Sequence, residues 1–155
     1  MSFARVPAAA NPVPITPVTP GNLADTVGRL SDAERQWVQG LGFTGEAGTT
    51  ALLPTSAGKL GRVLVGWKPE EPIWALGGLP DSLPLGSYAL DAKPGADAAT
   101  RMALGWALGS YAFQRYKART RAPAALVWPA EADRGEAERL ARGITLARDL
   151  INTPA

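Results

Sequence analysis

Apolar and polar positions follow two different periods along this chain. From about Asp97 to Lys117, Met102, Trp106, Gly109, Phe113 and Tyr116 share one helical stripe and Leu104, Leu108 and Tyr111 another. That spacing predicts a long helix covered on most sides. Glu131 to Ile151 predicts a second long helix, with Leu140, Ile144, Ala147 and Ile151 on its apolar face and Glu136, Arg139, Arg142 and Arg148 outside. Gly105 and Gly109 bracket three residues, which permits close backbone approach by a neighbour; helix-on-sheet packing is the reading taken here.

Short apolar runs predict strands. Thr49–Leu53 and Arg62–Trp67 flank a turn-rich spacer, Pro54 to Gly61, and read as a hairpin or two neighbouring strands. Tyr88–Leu90 and Ala124–Trp128 are further strand candidates, and Ile73–Leu76 offers one or two helical turns. Ser31 with Glu34 three residues on predicts a capped short helix to about Gln39. Pro7, Pro12, Pro14, Pro17 and Pro20 exclude a helix over residues 6–20, so an extended arm or edge strand around Val13 to Val18 is expected. The expected organisation is a proline-rich arm or edge strand over 1–20, an α/β domain over 21–150, and the start of a linker over 151–155. Strands alternating with long helices predict an α/β fold with a layered, mixed sheet flanked by helices.

Composition narrows the chemistry. The apolar fraction is 46% and the charged fraction 19%, enough for a real core in 155 residues. There is no Cys and no His, which removes disulfides, thiolate sites, the commonest metal ligand and the side chain best suited to proton transfer near neutrality. A formal charge of +2 names no partner. The N-terminus lacks the apolar core of a signal peptide and no stretch approaches about 18 apolar residues, so a cytoplasmic, non-membrane protein is expected.

Candidate chemistry is sparse. Gly40 to Gly45 spells G-x-G-x-x-G but follows a predicted helix, the wrong order for a dinucleotide loop, and reads as a helix cap and turn. Gly58-Lys59 lacks the rest of a phosphate loop and reads as a turn. The carboxylates at 131, 133, 136 and 138 complement a helix N-terminus, and Glu70-Glu71 sits on a loop. Ser56, Ser82, Ser87 and Ser110 have no histidine to activate them; a lysine such as Lys59, Lys68, Lys93 or Lys117 would have to serve. The five tryptophans read as core. Arg115, Lys117, Arg119 and Arg121, interleaved with Tyr111, Phe113 and Tyr116, have the ingredients of a nucleic-acid patch, against the plainer reading of a solvated helix C-terminus. No catalytic and no metal-binding residue is assigned.

One resemblance goes further. Leu146-Ala-Arg-Asp-Leu-Ile-Asn-Thr-Pro-Ala155 is similar to the segment of leucyl aminopeptidases that leads from the N-terminal into the catalytic domain. Gly105 to Lys117, Leu41 to Gly45 and Leu83 to Tyr88 fit the same family in order, so the resemblance spans about residues 37–155. It implies a macro-domain-like α/β fold attached to a C-terminal metallopeptidase that removes N-terminal residues from peptides, with two divalent ions, Zn or Mn, in a hexamer. The metal ligands and the Asn-Thr-Asp-Ala-Glu-Gly-Arg signature belong to the family's C-terminal domain, so no site residue is carried over and this chain needs no cofactor. The family continues past the position of Pro154, which implies a shortened piece or a split gene product. The resemblance makes the peptidase domain and the hexamer the expected partners. The alternative is a module for nucleic acid or an ADP-ribose-like ligand; the latter would need glycine-rich strand-to-helix loops in a context not found here.

Overall fold

A computed structural model describes residues 11–116 and 118–154. The elements run β1 (Val13–Val18), α1 (Leu23–Gly28), α2 (Asp32–Leu41), β2 (Thr50–Pro54), β3 (Leu60–Gly66), a 3-10 turn (Pro72–Trp74), α3 (Leu79–Ser82), β4 (Ser87–Leu90), α4 (Ala96–Gly109), β5 (Ala125–Leu126) and α5 (Arg134–Asn152). The five strands form one mixed sheet in the order β2-β3-β1-β4-β5. The β2–β3 hairpin is antiparallel and the other pairings are parallel. The α/β class and the mixed sheet are those expected from the sequence.

The proline-rich segment is a correction. β1 is not an arm or an edge but the middle strand of the sheet, and the domain includes it. Residues 1–10, with Pro7, lie outside the described residues. Two prolines survive in a central strand because of where their missing donors point. Ile15 faces β4, since its carbonyl accepts from Asp91 N (2.7 Å), and Val18 faces β3, since its carbonyl accepts from Trp67 N (3.0 Å). Pro17 therefore faces the β4 side, where pairing ends at Ile15↔Leu90, and Pro14 faces the β3 side, where pairing begins only at Ile15↔Val63. Each absent N–H falls where no ladder partner exists.

Side-chain alternation divides the core between the two faces of the sheet. Ile15, Val63, Val65 and Tyr88 meet Leu76, Leu79, Met102 and Trp106 on one face. Val18, Ala51, Leu53 and Leu64 meet Leu30, Val38 and Phe43 under α1 and α2 on the other. Leu104 and Ala107 of α4 join Ala137 and Ala141 of α5 in a third cluster, so α5 forms an outer layer on α4.

α4 is covered on several sides, as its two stripes imply, but its glycines do not meet the sheet. A Cβ on Gly105 would lie 1.9 Å from Ile73 O, and one on Gly109 would lie 1.8 Å from Gly77 O. The close neighbour is the backbone around the 3-10 turn.

α4 also ends at Gly109 rather than running to Lys117, a residue outside the described set. Ser110 Oγ donates to Trp106 O (2.9 Å), Arg119 donates to Ser110 O (2.7 Å), and Arg148 of α5 donates to Leu108 O (3.2 Å). Distant guanidiniums thus satisfy carbonyls that a further helical turn would have used.

α5 departs from expectation too. Its buried face is Ala137, Ala141 and Thr145, small enough for close packing on α4. Most of the expected apolar face is outside: Leu140 is 45% exposed and Ile151 83%, Ala147 is exposed and only Ile144 is half-buried, with Leu146 and Leu150 beside them. Helix extends through Asn152, so 151–152 are not yet linker. β5 is only two residues long. Of the tryptophans, Trp106 is buried, Trp67 and Trp128 half-buried, and Trp37 and Trp74 exposed.

The capping box at α2 is formed as predicted. Ser31 Oγ accepts from Glu34 N (3.3 Å), and Glu34 Oε2 accepts from Ser31 N (2.9 Å) and from Ser31 Oγ (2.7 Å). These bonds, the hydroxyl first and then the backbone amide, hold the Glu34 carboxyl below its ordinary 4.5. A depressed acid stabilises the fold above its unfolded value, and that contribution disappears as pH falls through the lower folded value. An NMR titration of Glu34 is expected to show a midpoint below 4.5 that returns toward it in Ser31→Ala. The same substitution is expected to cost about 1 kcal/mol in a urea melt.

Candidate functional site

Part of the sequence-predicted basic segment is engaged within the domain. Arg119 pairs with Asp81 at the end of α3 and also reaches Ser110 O. Arg121 donates to Asp81 O (3.2 Å) and to Leu83 O. Both guanidiniums fasten the 110–123 segment to the C-terminal end of α3, where exposed carbonyls favour a cation. Arg115 is exposed and stands over the Tyr116 ring at 5.9 Å. Lys117 lies outside the described residues. Two of the four positions are therefore engaged within the domain.

What the segment does form is a cleft against α5. Tyr111, Phe113, Arg115, Arg119, Thr145 and Asp149 line about 640 Å³ of it. Tyr111 Oη donates to Asp149 Oδ1 (2.7 Å), and the Arg148 guanidinium stands 5.4 Å from the Tyr111 ring centre. Burial first, and then the bond to Asp149, raise the Tyr111 pKa above its ordinary 10.0. The phenol therefore stays protonated across neutral pH, and the guanidiniums cannot act as bases. These groups can hold a polar ligand or fix a neighbouring segment.

The other candidates resolve into structural roles. Gly42 caps α2 in the left-handed region (φ 64°), and Gly45 (φ 75°) turns the chain against Thr19. Gly58 (φ 75°) sits in the hairpin turn. Asp133 caps α5 by accepting from Glu136 N (2.9 Å), and Glu138 pairs with Arg134. Glu70 and Glu71 are exposed. Ser82 and Ser110 bond back to helix carbonyls. Among the described residues, no three acidic side chains converge to hold a metal ion, and no helix is long and apolar enough to cross a membrane.

Two long-range pairings were invisible in the sequence. Tyr111 and Asp149 stand 38 positions apart, and Thr100 Oγ1 accepts from Asp133 N (2.8 Å) across 33. No local period or motif encodes either.

The family described as M17 aminopeptidase, N-terminal domain, matches residues 13–129. No curated protein matches the sequence. Among solved structures, the cytosol aminopeptidase of Coxiella burnetii is 38% identical, with a TM-score of 0.83 over 93% of this chain and 32% of that one. The bottromycin maturation enzyme BotP, solved in complex with Mn, is 24% identical, with a TM-score of 0.62 over 94% of this chain and 32% of its own. A mutant of tomato leucine aminopeptidase is 19% identical, with a TM-score of 0.57 over 93% and 36%. The last two likenesses concern the fold. This chain spans about a third of the length of each.

Proposed function

The chain belongs to the M17 aminopeptidase N-terminal domain family, and from that premise we propose that it is the non-catalytic part of a larger, cytoplasmic, metal-dependent leucyl aminopeptidase. Its partner is the C-terminal peptidase domain of that enzyme. Its work is to shape access to the active site and to contribute contacts within a homo-oligomer, a hexamer in the parent.

The match over residues 13–129, in a chain that spans only a third of its structural relatives, carries this reading. Two physical observations support it. A two-metal hydrolase needs several carboxylates around one space. Among the described residues no three such side chains gather, and we assign the two divalent ions, Zn or Mn, to the parent's other domain. The outer face of α5 also exposes Leu146, Leu150 and Ile151 toward its C-terminal end, a stripe suited to burial by a neighbouring domain.

The purified chain is expected to release no amine from leucyl amides, with or without added manganese or zinc. Metal-dependent turnover that copurifies with the chain overturns the reading. So does a gene that stops at Ala155 in a cell with no separately encoded peptidase of this family. The alternative, a module for nucleic acid or an ADP-ribose-like ligand, is not favoured: Arg119 and Arg121 are engaged with α3, and the glycine loops are a cap and turns.

A further inference from the structure

The cleft between the 110–123 segment and α5 carries charges that the rest of the fold leaves uncompensated. Thr145, Asp149 and Thr153 stand one helical turn apart and form its α5 wall. Asp149 Oδ1 accepts from Tyr111 Oη, but among the described residues Oδ2 has no partner and the carboxylate has no ion pair. Thr145 is only 9% exposed, and its hydroxyl has no hydrogen-bond partner. Thr100 and Thr153 each donate to the carbonyl four residues back, at 2.7 Å in both cases, and Thr145 does not. A buried hydroxyl left unpaired is uncommon and invites a partner from outside the chain.

The opposite wall is cationic and aromatic. Arg119 is neutralised by Asp81, and Arg148, next to Asp149 in sequence, turns to Leu108 O and the Tyr111 ring. Arg115 meets no carboxylate among the described residues; its guanidinium stands 5.9 Å from the Tyr116 ring centre. Phe113 lies beside it, edge to face with Tyr116 at 5.8 Å.

We propose that this cleft binds a small zwitterion of the α-amino acid type, a free amino acid or short peptide with an apolar side chain, its ammonium on Asp149 and its carboxylate on Arg115. Charge balance selects this class. An anion alone would face the unpaired Asp149, a cation alone would face Arg115, and an apolar molecule would cover both charges without compensating either. A zwitterion gives each a charge-assisted hydrogen bond. Tyr111 and Phe113 offer an apolar wall for its side chain, and a χ1 rotation brings Thr145 Oγ1 toward the same ammonium. At about 640 Å³ the cleft falls within the usual range of ligand sites, about 300–1,000 Å³. No turnover is involved, and the inference stands independently of the peptidase reading.

An NMR titration of the chain with leucine, and separately with leucyl-leucine, tests it. Saturable shifts are expected at the Tyr111, Thr145 and Asp149 amides with at least one of the two, and the tighter ligand identifies a free amino acid or a peptide as the occupant. The N-acetyl form of that ligand lacks the ammonium and the C-terminal amide lacks the carboxylate. Each is expected to bind at least about tenfold more weakly, the share of one hydrogen bond to a charged group. Asp149→Asn, which still accepts from Tyr111, and Arg115→Gln should each weaken binding by a similar factor, whereas Lys93→Gln on the loop after β4 should not change it. Absence of saturable shifts at millimolar concentration of both ligands overturns the proposal. So do blocked forms that bind as tightly as their parent, or an Asp149→Asn chain whose affinity is unchanged.

Discussion

Replacing Gly105 with alanine is expected to destabilise the fold by about 3 kcal/mol or more, at the upper end of what overpacking costs. The added methyl would sit 1.9 Å from Ile73 O and 2.9 Å from Ile73 C. The obstacle is backbone, so no rotamer change relieves it. Either α4 withdraws from the turn at Pro72–Trp74, opening space beside Met102 and Trp106, or that turn shifts out of the core around Leu76. Since a domain of ordinary stability has only about 5–15 kcal/mol in total, a large unfolded fraction should appear in mild urea. Gly40→Ala is the control. Gly40 lies in α2 with nothing within 4 Å of its Cβ position, and alanine there gains helix propensity. A Gly105→Ala midpoint equal to that of the parent chain would disprove the close approach.

Trp106→Ala should cost about 3–5 kcal/mol, the range for deleting a buried aromatic side chain. Trp106 is 5% exposed and lies between α4 and the sheet, with its ring centre 6.2 Å from that of Tyr88. Truncation leaves a cavity walled by Met102, Tyr88 and Leu76, whose positions are set by three different elements and cannot collapse together. Trp106→Phe, which keeps an aromatic ring, should lose markedly less. Equilibrium urea denaturation of the three proteins checks the order, and near-neutral behaviour of the alanine variant would show that this face is not packed as described.

Both predictions rest on residues that the sequence marked for attention, though it identified their surroundings only in part. Gly105 and Gly109 signalled a close neighbour, and the neighbour is there, but it is a 3-10 turn instead of the sheet. The capping box at Ser31 was fully legible because its partners stand three residues apart. The hairpin was legible because a turn-rich spacer joins two apolar runs. α1 and α3, at six and four residues, were too short to carry a period.

The candidate site was less legible. Composition limited its chemistry at once, because a chain without histidine or cysteine has few routes to nucleophilic or metal chemistry. The basic run from Arg115 to Arg121 was visible, but its engagement was not. Arg119 and Arg121 find their acceptors 38 to 40 positions back, at Asp81 and Leu83.

By itself, then, the sequence determined what local chemistry controls: helix starts, turns, apolar periods and the α/β class. Tertiary structure decided the rest. It put β1 in the middle of the sheet, ended α4 at Gly109, and turned α5 so that Ala137 and Ala141 face inward and its leucines outward. The physical reason is the same in each case. An apolar period reports that a face can be buried, but which face is buried depends on how closely a neighbour can approach. Alanine and glycine permit close backbone contact, so here the small residues, not the large ones, define where the helices meet.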